Sequence, residues 1–273
     1  MEESRAREAL AWQTGVWDRI SGIYQREIDR RFAPVVDNVI SRAGLVPGQR
    51  VLDIGTGTGT IAERAAALIE PGGRVVGIDI SAEMLALARR RVDAAKLENV
   101  HFQEGRAEDL PAEAGDFDVV LASLSLMYAI DRPAAAREIA RVLRPGGRLV
   151  VAAWSAPDRC DIVRFQQTAG SFSPPPPVAG VGPGALADTG PFLDQLAAAG
   201  IATRVETETL GFDFEDFGSA WEVLAGVTTA QLAPERREEA KAAVFAAMYP
   251  DGDGPRHFRN VTQFIVGERT STT

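Results

Sequence analysis

A chain of 273 residues, 45% of them hydrophobic, can bury a full core and is expected to form one elaborated α/β domain. Its 38 Asp and Glu against 29 Lys and Arg leave a net charge of -9 with no long basic run, which argues against nucleic acid as a partner. One cysteine, Cys160, and two histidines, His101 and His257, exclude an intrachain disulfide and a cysteine-rich zinc site, so no metal is expected.

The chain opens without a charged segment leading into a short apolar core, and no apolar run is long enough to cross a bilayer. The expected setting is soluble, reducing and cytoplasmic, with no membrane partner. Residues 2–43 read as helical, because Trp12, Val16, Ile20 and Tyr24 fall at steps of four with Ile23 and Ile28 nearby. This stripe is either a plain cover for an edge of the domain or a lid that brings Trp17 and Tyr24 over a bound ligand. A second helix over residues 32–43 is expected to end at Gly44, with LVPGQ as the turn that follows.

Residues 51–60, VLDIGTGTGT, run an apolar strand into an acid, Asp53, and then into glycines at alternate positions, Gly55, Gly57 and Gly59. Such glycines permit a sharp turn from strand to helix and let a ligand touch the main chain, with unpaired N–H groups of the following helix favouring a negative charge. Residues 71–81, PGGRVVGIDIS, give a short buried strand with Asp79 at its carboxyl end, beside the glycine turn, where a carboxylate can accept both hydroxyls of a ribose. Ser81 reads as the cap of the next helix, and Ile80 with Met84 can sandwich a flat base. A third strand, VHFQ, contains His101, read as a hydrogen-bonded structural residue. It leads into EGRAEDLP, whose Arg106 and Glu108 lie at the ligand end of the sheet.

The fourth strand, FDVVLA, exits through SLSLMYAID on the same side, a helix over residues 133–143 follows, and RPGG breaks it before a fifth strand, GRLVVAAW. Strand and helix alternating five times argue for a parallel sheet covered on both faces. Beyond residue 154 the pattern changes. Residues 155–190 read as loop or short helix, and SFSPPPPV reads as a connector. A helix, PFLDQLAAAGI, and an alternating strand, ATRVETETLGFDF, are followed by helices over residues 217–230 and 234–248, the latter with Val244, Phe245 and Met248 on one side. The last strand is expected at VTQFIVGER, and TSTT as a frayed tail.

DIGTGTG, GIDIS, GRAEDLP, FDVV with its polar exit, and LRPGGRLVV, in this order across residues 48–154, resemble the class I S-adenosylmethionine-dependent methyltransferases. The branch most similar in texture contains the ubiquinone and menaquinone biosynthesis methyltransferases. The resemblance implies a Rossmann-like doubly wound α/β sheet, mostly parallel with an antiparallel last strand, carrying N-terminal helices and a helical cap insertion. It divides the chain into a helical lid (1–43), an S-adenosylmethionine-binding core (44–154), cap and substrate-pocket elements with a sixth strand (155–257), and the last strand and tail (258–273). It implies that Gly55, Thr56, Gly57 and Gly59 wrap the methionine part of the cofactor, that Asp53 orients the loop and its amino group, and that Asp79 holds the ribose. Ile80 and Met84 would flank the adenine, Ala107 and Glu108 would lie at its amino edge, and Ser123 would face the methionine. Arg106 stands where many relatives carry an acid, so Ala107 or Glu108 is expected to take over that contact.

The implied activity is methyl transfer to an O, N or C nucleophile of a small, apolar or aromatic metabolite, by a monomer or homodimer. A sulfonium methyl is already activated, so positioning and exclusion of water carry the reaction, with at most one base. The candidates for that base are His257 and Tyr128, and the expected substrate wall is Trp17, Tyr24, Met127 and Trp154. A dinucleotide oxidoreductase fits poorly, because GTGTG after an acid is not GxGxxG. A nucleic-acid methyltransferase is disfavoured by charge and by SLSLMY in place of an NPPY-type exit. A family member that uses the cofactor without methyl transfer, in a cyclisation or elimination, and a binding module without turnover remain as alternatives.

Overall fold

The computed structural model describes residues 2–271, the first five of them by backbone alone, so half of the expected frayed tail lies outside the described residues. Two helices precede the first strand, α1 (Glu2–Ile23) and α2 (Asp29–Ala43), joined without a break by one π-helical stretch, Tyr24–Ile28. The extra residue per turn rotates the apolar face as it passes from one helix to the next. On α1 the buried positions are Ala9, Gln13, Val16 and Ile20, while Trp12 and Tyr24, at the ends of the expected stripe, are half-buried. α2 ends as expected at Gly44, in the left-handed region with φ 57°.

The strands β1 (Arg50–Ile54), β2 (Arg74–Asp79), β3 (Val100–Glu104), β4 (Phe117–Ser123) and β5 (Leu143–Trp154) are joined by α3 (Thr60–Leu68), α4 (Ala82–Ala94) and α5 (Arg132–Val142), but β3 passes to β4 through a loop with no helix, which breaks the expected alternation. They form one sheet in the order β3-β2-β1-β4-β5, all parallel, and the continuous burial of residues 51–54 and 119–122 is that of strands covered on both faces. β3 is the edge strand, and this corrects His101: its side chain faces solvent rather than the core.

The second half of the sheet comes from β6 (Ile201–Phe214) and β7 (Arg256–Arg269), which share one ladder although helices separate them along the chain. β7 inserts between β5 and β6 and runs antiparallel to both, pairing with β6 from Ile201↔Arg269 to Phe214↔Arg256. It begins five residues before the expected 261, so a boundary at 257/258 falls inside it. The reason is a partner the local pattern does not reveal: Phe258 and Asn260, fully buried, alternate with exposed His257 and Arg259 along the whole length of β6.

Residues 155–190 are more regular than expected, because α6 (Asp161–Gly170) lies in them and buries Ile162, Val163, Phe165 and Ala169. No side chain of its own start caps it. Asn260 of β7 does so instead, accepting hydrogen bonds from the Ile162 N–H at 2.9 Å and the Cys160 thiol at 3.5 Å. Burial pushes that thiol up to about 12, so it stays protonated as the donor. α7 (Gly190–Ala198), α8 (Phe217–Leu224), the single turn α9 (Gly226–Thr229) and α10 (Pro234–Met248) complete the chain.

Candidate active site

Strand order turns back on itself at β1: β2 and β3 extend one way, β4 and β5 the other. At such a point the loops leaving the carboxyl ends diverge and leave a crevice. In this protein the crevice encloses about 790 Å³ including its open mouth, within the range of small-molecule sites. Its floor is Gly55, Gly57, Asp79, Ile80, Met84, the loop 105–108 and the exit 123–126; its roof is Leu10, Gln13, Trp17 and Tyr24, with Tyr128 closing one side.

The floor is held by the main chain. Gly55 takes φ 67°, and a Cβ there would fall on the Ser125 side chain. Gly57, at φ 55°, is different, because a Cβ on it would meet no protein atom within 4 Å, only the space of the cavity. Asp79 Oδ2 accepts from the Gly57 N–H at 2.9 Å and Oδ1 from the Ser81 N–H at 3.0 Å, so the second strand's carboxylate fixes the turn after the first. Burial raises the Asp79 carboxyl above the ordinary range, with these N–H groups opposing. Ser81 caps α4, accepting from the Met84 N–H at 3.1 Å. Glu108 Oε1 accepts from the Ile130 N–H at 2.6 Å and the Asp131 N–H at 3.2 Å, binding the third loop to the fourth.

A second, smaller chamber of about 430 Å³ continues past Tyr24 toward the N-terminus of α3, lined by Asp29, Phe32, Asp53, Thr56, Thr58 and Thr60 among others. No side chain caps α3, so its first N–H groups face this chamber. Asp53, 1% exposed, accepts from the Thr56 hydroxyl at 2.6 Å. Burial pushes its carboxyl up to about 7, Thr56 opposes that, and the nearby Asp79 adds to it.

The roof is held by side chains. Gln13 Nε2 donates to the Tyr128 carbonyl at 2.8 Å, and the Ser81 hydroxyl donates to Asp18 Oδ1 at 2.6 Å. Below the π-helical stretch, Asp29 accepts from the Thr58 hydroxyl at 2.7 and 2.8 Å and pairs with Arg91, whose Nε donates to the Thr58 carbonyl at 2.8 Å. Trp17 lies edge-on to Tyr128 at 4.8 Å between ring centres and to Tyr24 at 6.4 Å.

The structure gathers Gly55, Gly57, Asp79, Ile80, Met84, Ala107, Glu108, Ser123, Trp17, Tyr24 and Tyr128 on the main cavity, and Asp53 and Thr56 on the smaller chamber. It corrects five other expectations. Gly59 lines neither space: a Cβ on it would stand 3.0 Å from that of Ala88, so its task is close packing of the turn on α4. Met127, 1% exposed, and Trp154, 3% exposed, belong to the core, Trp154 with its ring 5.3 Å from that of Phe32. His257 stands near one end of the β6–β7 ladder, 55% exposed and 2.7 Å from Asp213, outside both spaces. Tyr128 is present but unsuited to be a base, because burial raises its phenol well above the ordinary value.

Gln13, Asp18, Asp29 and Ser125 were not singled out by sequence. Gln13 gives a signal in retrospect, a polar residue inside an apolar stripe. Ser125 has none: it is delivered by Leu124, in the left-handed region with φ 55°, and donates to the Ile54 carbonyl at 2.7 Å.

Residues 45–169 match the family model described as a methyltransferase domain. Nocamycin O-methyltransferase from Saccharothrix syringae is 39% identical over 134 residues, covering 49% of this chain and 48% of that protein. The ubiquinone/menaquinone biosynthesis C-methyltransferase UbiE from Hahella chejuensis is 40% identical over 119 residues, covering 43% of this chain and 48% of that protein. The chain thus spans about half the length of these relatives. Among solved structures, YcgJ from Bacillus subtilis superposes with a TM-score of 0.65 at 21% identity over 87% of this chain and 98% of that one. The [4+2]-cyclase SpnF gives 0.57 at 24% identity over 88% and 81%. Both show the shared fold. Residues 45–169 are therefore similar to S-adenosylmethionine-dependent methyltransferase domains.

The lining fits that cofactor. Gly57 leaves room that only a ligand would fill, Asp79 presents a buried carboxylate beside it, Ile80 and Met84 offer apolar faces, and α3 offers free N–H groups to a carboxylate.

Proposed function

We propose that the protein transfers the methyl of S-adenosylmethionine to a small metabolite held beneath α1. The observation that carries this reading is the joining of a complete main-chain cradle to an aromatic roof over one enclosed space. When bound, the cofactor supplies a methyl group on a positively charged sulfur, already activated for attack. Asp79 holds the ribose. Ile80 and Met84 hold the base. Asp53, Thr56 and the start of α3 hold the methionine end in the smaller chamber. The roof then excludes water from the reacting centre, with Gln13 and Asp18 as the latches of a lid formed by α1.

The relatives' names speak of transfer to oxygen in one and to carbon in the other, so they support methyl transfer without selecting the atom. Among the described residues no helix is long and apolar enough to cross a membrane, which agrees with a small-molecule partner met in solution. Calorimetry with S-adenosylhomocysteine, the demethylated cofactor, is expected to show binding that Asp79→Ala weakens by about 10- to 100-fold, the range for lost hydrogen bonds to a charged group. Tighter binding of NADH, or no binding of either, overturns the proposal. Because the same fold serves a cyclase, radiolabel from the cofactor's methyl must also appear in a product.

A further inference from the structure

The roof of the main cavity offers hydrogen-bond donors and lacks a base. Tyr24, Tyr128 and the indole of Trp17 all line it, the Trp17 ring edge-on to both tyrosine rings. Burial raises both phenols far above their ordinary value, so at neutral pH they remain protonated and can donate but not abstract. The other titratable groups on the lining are Asp79, Glu108 and Arg106. Asp79 is committed to Gly57 and Ser81, and Glu108 to Ile130 and Asp131. Arg106, exposed at the mouth, is a cation. Asp53 faces the smaller chamber, Asp18 is bonded to Ser81, Asp29 is bonded to Thr58 and Arg91, and both histidines lie outside.

An amine meets such a site as an ammonium ion that must lose a proton to a group the lining does not provide. An alcohol faces the same obstacle. An acid already ionised in water does not, and its oxygen suits the phenol and indole donors of that lining. We propose that the methyl acceptor is a small acidic hydroxyl compound, a phenol, enol or carboxylic acid ionised near neutral pH, which enters as its oxyanion and is held by the hydroxyls of Tyr24 and Tyr128 and the indole N–H of Trp17. A lone pair of that oxygen forms the new O–CH3 bond while the pair of the CH3–S bond returns to sulfur. An anion and a sulfonium become two neutral molecules, and no proton leaves during transfer. This assignment rests on the methyltransferase reading and names the substrate class within it.

The test uses 4-nitrophenol, whose ionised form has its own absorbance band, added to the full chain saturated with S-adenosylhomocysteine, with benzylamine as a cationic competitor. The phenolate is expected to bind in preference to the phenol, so that its ionisation midpoint falls by about one pH unit in the complex, a tenfold preference. Tyr24→Phe and Tyr128→Phe are each expected to weaken phenolate binding by about 10- to 100-fold, the worth of one hydrogen bond to a charge. Their S-adenosylhomocysteine affinity should stay within about threefold, which also reports that they fold. Preference for neutral phenol, no phenolate binding, displacement by benzylamine, or phenylalanine variants with undiminished phenolate affinity would each overturn the acceptor class. If S-adenosylhomocysteine itself does not bind, the methyltransferase reading falls and takes this one with it.

Discussion

The floor of the cavity and its roof are built by different means. The floor is turns at strand ends, where Gly55, Gly57 and Asp79 act through main-chain conformation and main-chain N–H groups. The roof is one long helix and a π-helical stretch, held down by the side chains of Gln13, Asp18 and Asp29. Main-chain geometry leaves few substitutes, because Gly55 and Gly57 both take a positive φ that other residues rarely adopt and Gly55 is also crowded by Ser125. A side-chain latch is worth about 1 kcal/mol and can be replaced by another. The floor is thus the more constrained surface and the roof the more adaptable, and substitutions along the two can break that contrast or sharpen it.

The largest effect is expected at the floor. Gly55→Ala adds left-handed strain to a clash with Ser125 and should lower unfolding free energy by about 2–4 kcal/mol while abolishing S-adenosylhomocysteine binding. Gly57→Ala, with open space around it, should lose only about 1–2 kcal/mol of stability yet bind as poorly. Urea unfolding and calorimetry on the pair separate the two causes, and equal stability losses would contradict the cradle.

Asp53 gives a pH-dependent effect of intermediate size. Its folded pKa, about 7, is raised above the unfolded value by burial, so its contribution to stability is full below about pH 4 and is lost as pH rises through 7. Within that window the protein without cofactor should lose stability at up to on the order of 1 kcal/mol per pH unit from this group. Thermal melts from pH 4 to 8 should show a shallower decline for Asp53→Asn; parallel curves would remove Asp53 as the cause. Asp79, raised for the same reason, should leave a residual slope in the variant.

At the roof, Gln13→Leu and Asp18→Asn should each cost about 1 kcal/mol or less. Their clearer signature is faster hydrogen exchange along α1 with β1 and β4 unchanged. Exchange that accelerates equally in floor and roof would show that the two are one unit. The smallest effect is assigned to His257→Ala. As half of an exposed pair with Asp213, it should leave both turnover and stability within about 0.5 kcal/mol, and a large loss of turnover would restore it to the site.

The floor was legible in the sequence because its residues answer local demands. A turn that needs positive φ calls for glycine, and a carboxylate at a strand's end is already beside the neighbouring turn in a parallel sheet. The parallel sheet could be read from the recurrence of strand and helix, although the expected helix between β3 and β4 is a loop. Residues assigned by size or chemistry alone went astray: Met127 and Trp154 are large and near strand ends but turn into the core, and His257 is a suitable base in an unsuitable place. Local spacing carries which face of an element is apolar, and not what that face will meet.

The sequence by itself determined the glycine turn of residues 51–60, its partner Asp79, and the parallel run of the first five strands, all set by interactions a few residues apart or between neighbouring strands. Only the tertiary structure decided the strand order, that Gly59 serves packing while Gly57 faces the cavity, and that β7 begins at Arg256. It alone also brought Gln13, Trp17 and Tyr24 over Tyr128. Gln13 bonds to Tyr128 across 115 residues of chain, and no periodicity records a contact that exists only after the sheet has closed beneath the helix.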